Sequence, residues 1–137
     1  MIHTEITNKY IQPLLSDDTH KNNGAELQFY GRIRDLEHGQ PIQALEYEFY
    51  EGMAEIELQK LAELTCKKFV INKFYCVHRV GIVPIGEASL LVAIWSKHRV
   101  DGLDAMAWFI SQLKKDVPIW KNAVLEDGGK IPSHCDH

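Results

Sequence analysis

One segment constrains the fold more than any other. From Ala88 to Trp95 the chain is almost continuously apolar. The run has strand length and falls far short of the ~18 residues that suggest a membrane span. A strand with one wet face alternates apolar and polar residues, so a nearly continuous apolar run over Glu87 to Trp95 predicts a strand covered on both faces. The chain must therefore supply material for both sides of a sheet.

Other segments provide it. Ile2, Thr4 and Ile6 alternate with polar residues, as in a short edge strand. Lys9 to Leu15 fits a short helical turn, limited by Pro13, and Ser16 to Gly24 (SDDTHKNNG) is a polar loop. Ala25, Leu27, Phe29, Gly31 and Ile33 alternate with polar neighbours, so a strand is expected with those five on its core face and Arg32 and Arg34 together on the other. Asp35 to Pro41 reads as a mobile loop, and Ala44 to Tyr50 as a strand with Leu45, Tyr47 and Phe49 on one face. Glu51 to Phe69 carries a helical stripe of Ala54, Leu58, Leu61, Ala62, Thr65 and Phe69. A strand over Ile71 to Val80 and a turn at Gly81 to Gly86 lead into the apolar run. Asp101 is the expected N-cap of a second helix, with Asp104 near its positive end. That helix has a stripe of Leu103, Met106, Ala107, Ile110, Leu113 and Val117 and is stopped by Pro118. Strands arriving in adjacent pairs imply an α+β fold, a mainly antiparallel sheet with helices packed on it in the manner of an α/β hammerhead. One domain is expected over 1–125, with a polar, Gly-rich and flexible tail over 126–137.

Composition excludes several classes. The chain has 137 residues, 45% hydrophobic and 25% charged, enough for one packed domain and too apolar for disorder. The formal net charge of −4 argues against a broad nucleic-acid surface, so any anion site must be a local basic cluster. The 3 cysteines, Cys66, Cys76 and Cys135, are odd in number and lack a CxxC spacing, which fits a reducing compartment better than a disulfide framework. MIHTEITNKY has neither the basic stretch nor the apolar core of a signal peptide. A soluble cytoplasmic protein is expected.

Basic residues gather in Gly31-Arg32-Ile33-Arg34, in His78-Arg79, in Lys97-His98-Arg99 and in Lys114 to Lys121 (KKDVPIWK). Each falls near the end of an expected element, where sites are commonly built. Singly, each reads as a solvated charge; converging, they would bind an anion such as a phosphate. Lys114 sits in a last helical turn, where its charge also suits the helix's negative end. If the Pro118-Ile119-Trp120 corner folds Lys121 back beside it, clustered cations would lower a lysine pKa from about 10.4 and fit it for acid–base work.

The remaining reactive types are less suggestive. His78 lies within a strand and reads as a structural histidine. Cys66 and Cys76 read as small core residues. His134, Cys135 and His137 are metal-capable but terminal and unsupported by a fold, so no metal or other cofactor is expected. No Walker loop, GxGxxG or zincin motif occurs.

Several ordered motifs together resemble one family. Gly31-Arg32-Ile33-Arg34 after Phe29-Tyr30, Ala44-Leu45-Glu46-Tyr47-Glu48 and Tyr50-Glu51-Gly52-Met53-Ala54 are similar to the first half of the molybdopterin synthase large subunit. His78-Arg79-Val80-Gly81, Gly86-Glu87-Ala88, Ser96-Lys97-His98-Arg99 and Lys114 to Lys121 are similar to its second half. The likeness runs from about Gly24 to Lys121.

The resemblance implies a sulfurtransferase of molybdenum cofactor biosynthesis. Sulfur would arrive as a thiocarboxylate on the C-terminal glycine of a ubiquitin-like small subunit and pass to cyclic pyranopterin monophosphate, forming the dithiolene of molybdopterin. It also implies a homodimer of large subunits within a heterotetramer, with no nucleic acid or membrane involved. By position, Lys114 and Lys121 match the family's catalytic lysines. Arg32 and Arg34 match a substrate-contacting strand end. His98 and Arg99 match a pterin-phosphate site completed across the dimer, and Asn122 and Ala123 lie in the segment that lines the site. Ala123 stands where the family often has a glutamate. The alternative is a non-catalytic paralogue that binds a pterin or another anion as a scaffold, which would need neither lysine.

Overall fold

The computed structural model describes residues 1–15 and 21–133. In chain order the elements are β1 (Ile2–Thr7), β2 (Ala25–Arg32), β3 (Leu36–Glu37), β4 (Gln40–Phe49), α1 (Met53–Lys68), β5 (Lys73–Arg79), β6 (Gly81–Pro84), β7 (Ala88–Ser96), α2 (Arg99–Asp116), β8 (Ile119–Leu125) and β9 (Lys130–Ser133). The result is α+β, with two helices packed on mainly antiparallel sheets.

The apolar run becomes β7, and all of its residues are buried. It lies inside a sheet of order β1-β5-β7-β2, where only the β1–β5 pairing is parallel. Leu90, Val92 and Ile94 face α1 and α2 and pack with Leu58, Leu61 and Phe109. Leu91 and Ala88 face the other way and pack with Ile11 and Val77, with Leu14 and Tyr30 alongside. The N-terminal segment is therefore the second cover. It does this without the expected helical turn at Lys9 to Leu15: Pro13 has no N–H to give, and the Leu14 N–H donates to the Tyr30 hydroxyl at 2.8 Å.

Both helices begin later or earlier than their apolar pattern suggests. Gly52 has φ +88°, outside the helical region, so α1 starts at Met53 rather than Glu51. The Glu55 carboxylate then accepts from the Gly52 N–H at 2.8 Å. The buried face of α1 is the expected one. α2 starts at Arg99, with extended His98 in the capping position instead of Asp101, which lies in the first turn where its charge still suits the positive end. Its buried face is Gly102, Ala105, Met106, Phe109 and Leu113. Leu103, expected in the stripe, is 54% exposed. Apolar residues surround much of this helix, so periodicity alone misphased it. Phe109 meets Phe74 edge-on, their ring centroids 4.7 Å apart.

The second sheet runs β3-β4-β8-β9, with β6 also paired to β4. Here the sequence reading needs most correction. The expected turn at Gly81 to Gly86 contains β6, which aligns Val83 with Leu45. The expected mobile loop at Asp35 to Pro41 is a tight hairpin, in which His38 (φ +52°) and Gly39 (φ +77°) join β3 to β4. Beyond Pro118 comes β8, antiparallel to β4. The tail expected to be loose is, over Lys130–Ser133, a strand on β8. These strands are short, and partners distant in sequence order them.

β2 also departs from its pattern. Phe29 is 39% exposed, while Tyr30, expected on the polar face, packs on the Ile11 cluster. The strand lies at the sheet edge with a bulge between Gly31 and Arg32. Past the bulge, Ile33 is buried in the second sheet's core with Ile42, Leu45, Val83 and Ala123.

Candidate active site

A cleft of about 380 Å³ opens where the end of β2, the last turn of α2, β4 and β8 meet. Each wall brings its own chemistry. The end of β2 supplies Arg32 and Arg34, α2 supplies Lys114, and β8 supplies Lys121. The corner between the lysines is built from extended Val117 and from Pro118, whose carbonyl accepts the Tyr50 N–H at 3.1 Å. It reverses the chain onto β4, so that Lys121 lies opposite Tyr47, and opposite Ser133 of β9. Three of the four basic segments thus reach one cavity, the third through His78, and its volume suits a small ligand.

Arg32 is partly engaged already. One of its guanidinium nitrogens donates to the Gly86 carbonyl at 3.2 Å, and the group stands 5.6 Å from the Tyr30 ring centroid. Phe29, exposed at the sheet edge, forms an apolar wall nearby, together with Ile110, Leu113 and Ile119.

The floor is polar. His78, 7% exposed, lines the cleft and meets Tyr47 edge-on at 5.1 Å. Its Nδ1 lies 2.8 Å from the Arg79 carbonyl, which can only accept, so Nδ1 carries the proton. Burial pushes its pKa down to about 4, against which the backbone hydrogen bond pulls weakly. The ring is therefore neutral near pH 7, with Nε2 an acceptor. The Tyr47 hydroxyl lies 3.1 Å from Ser89 Oγ, which donates to the Gly31 carbonyl at 3.4 Å. Glu37 and Ser133 complete the floor.

Other expected site residues lie elsewhere. Arg79 turns away to pair with Glu87, Nη1 to Oε1 being 2.6 Å. His98 and Arg99 stand at the opposite end of α2 from Lys114, roughly 22 Å away at 1.5 Å per residue. Within one chain they do not join the cleft. Asn122 donates to Glu48 Oε2 at 3.2 Å, and Ala123 is fully buried in the second sheet's core, so neither lines the cavity. Cys76 is fully buried and Cys66 partly so; burial pushes both thiols up, away from nucleophilic use. Among the described residues, no three His, Cys, Asp or Glu side chains group to hold a metal. His134, Cys135 and His137 lie outside those residues.

Sequence reasoning missed Phe29 as a wall, and Glu37 and Ser133 altogether. A signal for Glu37 existed: the His38-Gly39 pair suits a two-residue hairpin turn, which would have turned the supposed loop into strands. Ser133 had none, because its place depends on pairing with β8.

Comparison with known proteins shows the family and the shared fold. The sequence profile described as "MoaE protein" matches residues 2–116. A molybdopterin synthase catalytic subunit from Dictyostelium discoideum is 39% identical over 123 residues, 88% of this chain and 76% of that one. One from Arabidopsis thaliana is 42% identical over 105 residues, 77% of this chain and 53% of that longer protein. Among solved structures, molybdopterin synthase from Staphylococcus aureus superposes with a TM-score of 0.81 at 32% identity, covering 94% of this chain and 96% of that one. A complex of subunits 1 and 2 of molybdopterin-converting factor from Helicobacter pylori matches with a TM-score of 0.67 at 28% identity, over 82% of this chain and 73% of that one. With the profile spanning most of its length and the fold shared, the chain belongs to the MoaE protein family.

Proposed function

We propose that this chain is the catalytic subunit of a molybdopterin synthase, transferring sulfur from a small subunit's C-terminal thiocarboxylate to cyclic pyranopterin monophosphate. The observation that carries this reading is the convergence of Lys114 and Lys121 with Arg32 and Arg34 on one cleft, in a chain of this family. The cations hold the anionic groups of both reactants. The thiocarboxylate tail enters beside the lysines, and one of them stabilises charge developing on the acyl group as sulfur departs. The other moves protons as sulfur adds to the pterin. The apolar wall keeps water away from the transferring sulfur.

His98 and Arg99 enter through assembly. They lie too far from the lysines to share a ligand within one chain, so their assigned part in phosphate binding requires a second copy to bring its α2 N-terminus to this cleft. The reading therefore includes a homodimer, each half carrying a ubiquitin-like small subunit; the H. pylori match is a complex of two different subunits of molybdopterin-converting factor, which supports the small-subunit partner. The cytoplasm is the expected setting. Among the described residues, no helix is long and apolar enough to cross a membrane.

The test is reconstitution. The pure chain, a thiocarboxylated small subunit and the pterin precursor are combined, and dithiolene product is assayed. Product is expected. If the chain binds the precursor but yields none under conditions that support a known catalytic subunit, the scaffold reading replaces this one.

A further inference from the structure

Glu37 presents a carboxylate to a cationic cleft without pairing with it. The side chain is 5% exposed and lines the cavity. Among the described residues, no hydrogen bond or ion pair engages it. Its placement is built into the backbone. Glu37 pairs with Gln40 across the two-residue turn at His38 and Gly39, both at positive φ, the turn geometry that matches strand twist. A second polar group on the same cleft is also unmet: Ser133 Oγ, in a residue 7% exposed, has no partner.

A carboxylate that opens on the cleft and has no partner there can accept from the N–H groups of a ligand. A phosphate alone would not meet it, because it too is an acceptor and an anion. A ligand that complements this cleft carries negative charge at one end, for Arg34 and Lys121, and N–H donors at the other. A pterin phosphate does both. Its 2-amino-4-oxopyrimidine edge presents the ring N3–H and the exocyclic amine as parallel donors, the fork geometry that meets the two oxygens of a carboxylate.

We propose that Glu37 is a specificity-determining residue that reads the amino-pyrimidinone edge of the pterin, with Ser133 Oγ supplying a further hydrogen bond to the ring. The inference rests on the pterin-phosphate reading above and names the group that would select the ring within it.

The test is a titration of the full-length chain with three probes: 6-hydroxymethylpterin monophosphate, the corresponding lumazine monophosphate, and inorganic phosphate. Lumazine has an oxo group where the pterin has its amine, and so faces the carboxylate with an acceptor. The wild type should prefer the pterin by about tenfold or more, as expected for a hydrogen bond to a charged group. Glu37→Gln replaces one acceptor oxygen with a donor and should reduce that preference to about twofold or less, without lowering phosphate affinity or the melting temperature. Should the glutamine variant fail to fold, Glu37→Asp, which draws the carboxylate back, carries the same expectation. Retention of the full preference by a folded variant overturns the role of Glu37, as does a wild type that binds both esters equally. A wild type that binds phosphate but neither ester overturns the pterin reading, and this inference with it.

Discussion

The helix-covered sheet and the second sheet solve different problems. Between α1, α2 and β7 the chain packs Phe74, Phe109, Leu58, Val92 and Ile94 with almost no exposure. Around β4 and β8 the apolar core is small, and beside it lie Lys121, Glu37, His78 and Ser133. Stability is concentrated in the first region and chemistry in the second. α2 belongs to both: Leu113 packs in the main core, and Lys114, the next residue, lines the cleft. A well-packed helix thereby fixes the position of a charged group on the cleft. The lesson is that the sheet able to tolerate unpaired polar groups is the one that leans on a stable neighbour.

The sharpest way to break this division is to exchange the effects of two substitutions. Lys121→Ala should lower turnover in the reconstituted assay by about a thousandfold, while the melting temperature stays within about 2 °C; a large loss of stability would show that the cleft lysine is structural. Phe109→Ala should do the reverse. Its fully buried ring makes a loss of about 3–5 kcal/mol in urea unfolding the expected outcome, with the fraction that remains folded still turning over. Equal damage to activity per folded molecule would mean that the two regions are not separable.

A pH series probes the floor of the cleft. His78 is held neutral, its pKa pushed down to about 4 by burial. An unfolded histidine titrates near 6.5. Between those values the unfolded state binds the proton and the folded state does not, so stability is fully present above about 6.5 and is lost as the pH falls. From pH 7.5 to 5.0 this one group should cost about 2 kcal/mol. His78→Gln should remove that increment from the slope of unfolding free energy against pH. An unchanged slope would place the titration elsewhere. The smallest effect expected is at Arg34, whose replacement by alanine should raise KM for the pterin phosphate about tenfold, as for one charge-assisted contact. Added salt should narrow the gap between variant and wild type. A fall in kcat at constant KM would instead move Arg34 into the chemical step.

Much of the first region was legible before any coordinates. The unbroken apolar run announced a strand buried on both faces, and the α1 stripe named the helix that would cover one of them. The site was half legible. Charge at strand and helix ends pointed to Arg32, Arg34, Lys114 and Lys121, and family resemblance selected the two lysines. The His38-Gly39 pair could have put Glu37 in a hairpin, but nothing local revealed that it is buried, since a charged residue in a short polar segment reads as solvent-facing. Nothing local showed that Asn122 would turn to Glu48 or that Ala123 would lie in a core.

What the sequence determined by itself is what a side-chain pattern can encode over a few consecutive turns or strand positions: the double burial of β7, the inward face of α1, and the end of α2 before Pro118, which has no N–H to continue it. What only the tertiary structure decided is every feature that needs two distant segments to meet. β6 and β9 are too short to declare themselves, β8 (Ile119–Leu125) lacks a clear alternation, and each is ordered by hydrogen bonds to a strand elsewhere in the chain. The cleft exists because the corner at Pro118 lays β8 along β4 rather than out into solvent. The same path leaves His98 and Arg99 a helix length away, because a helix of fixed rise keeps its two ends apart.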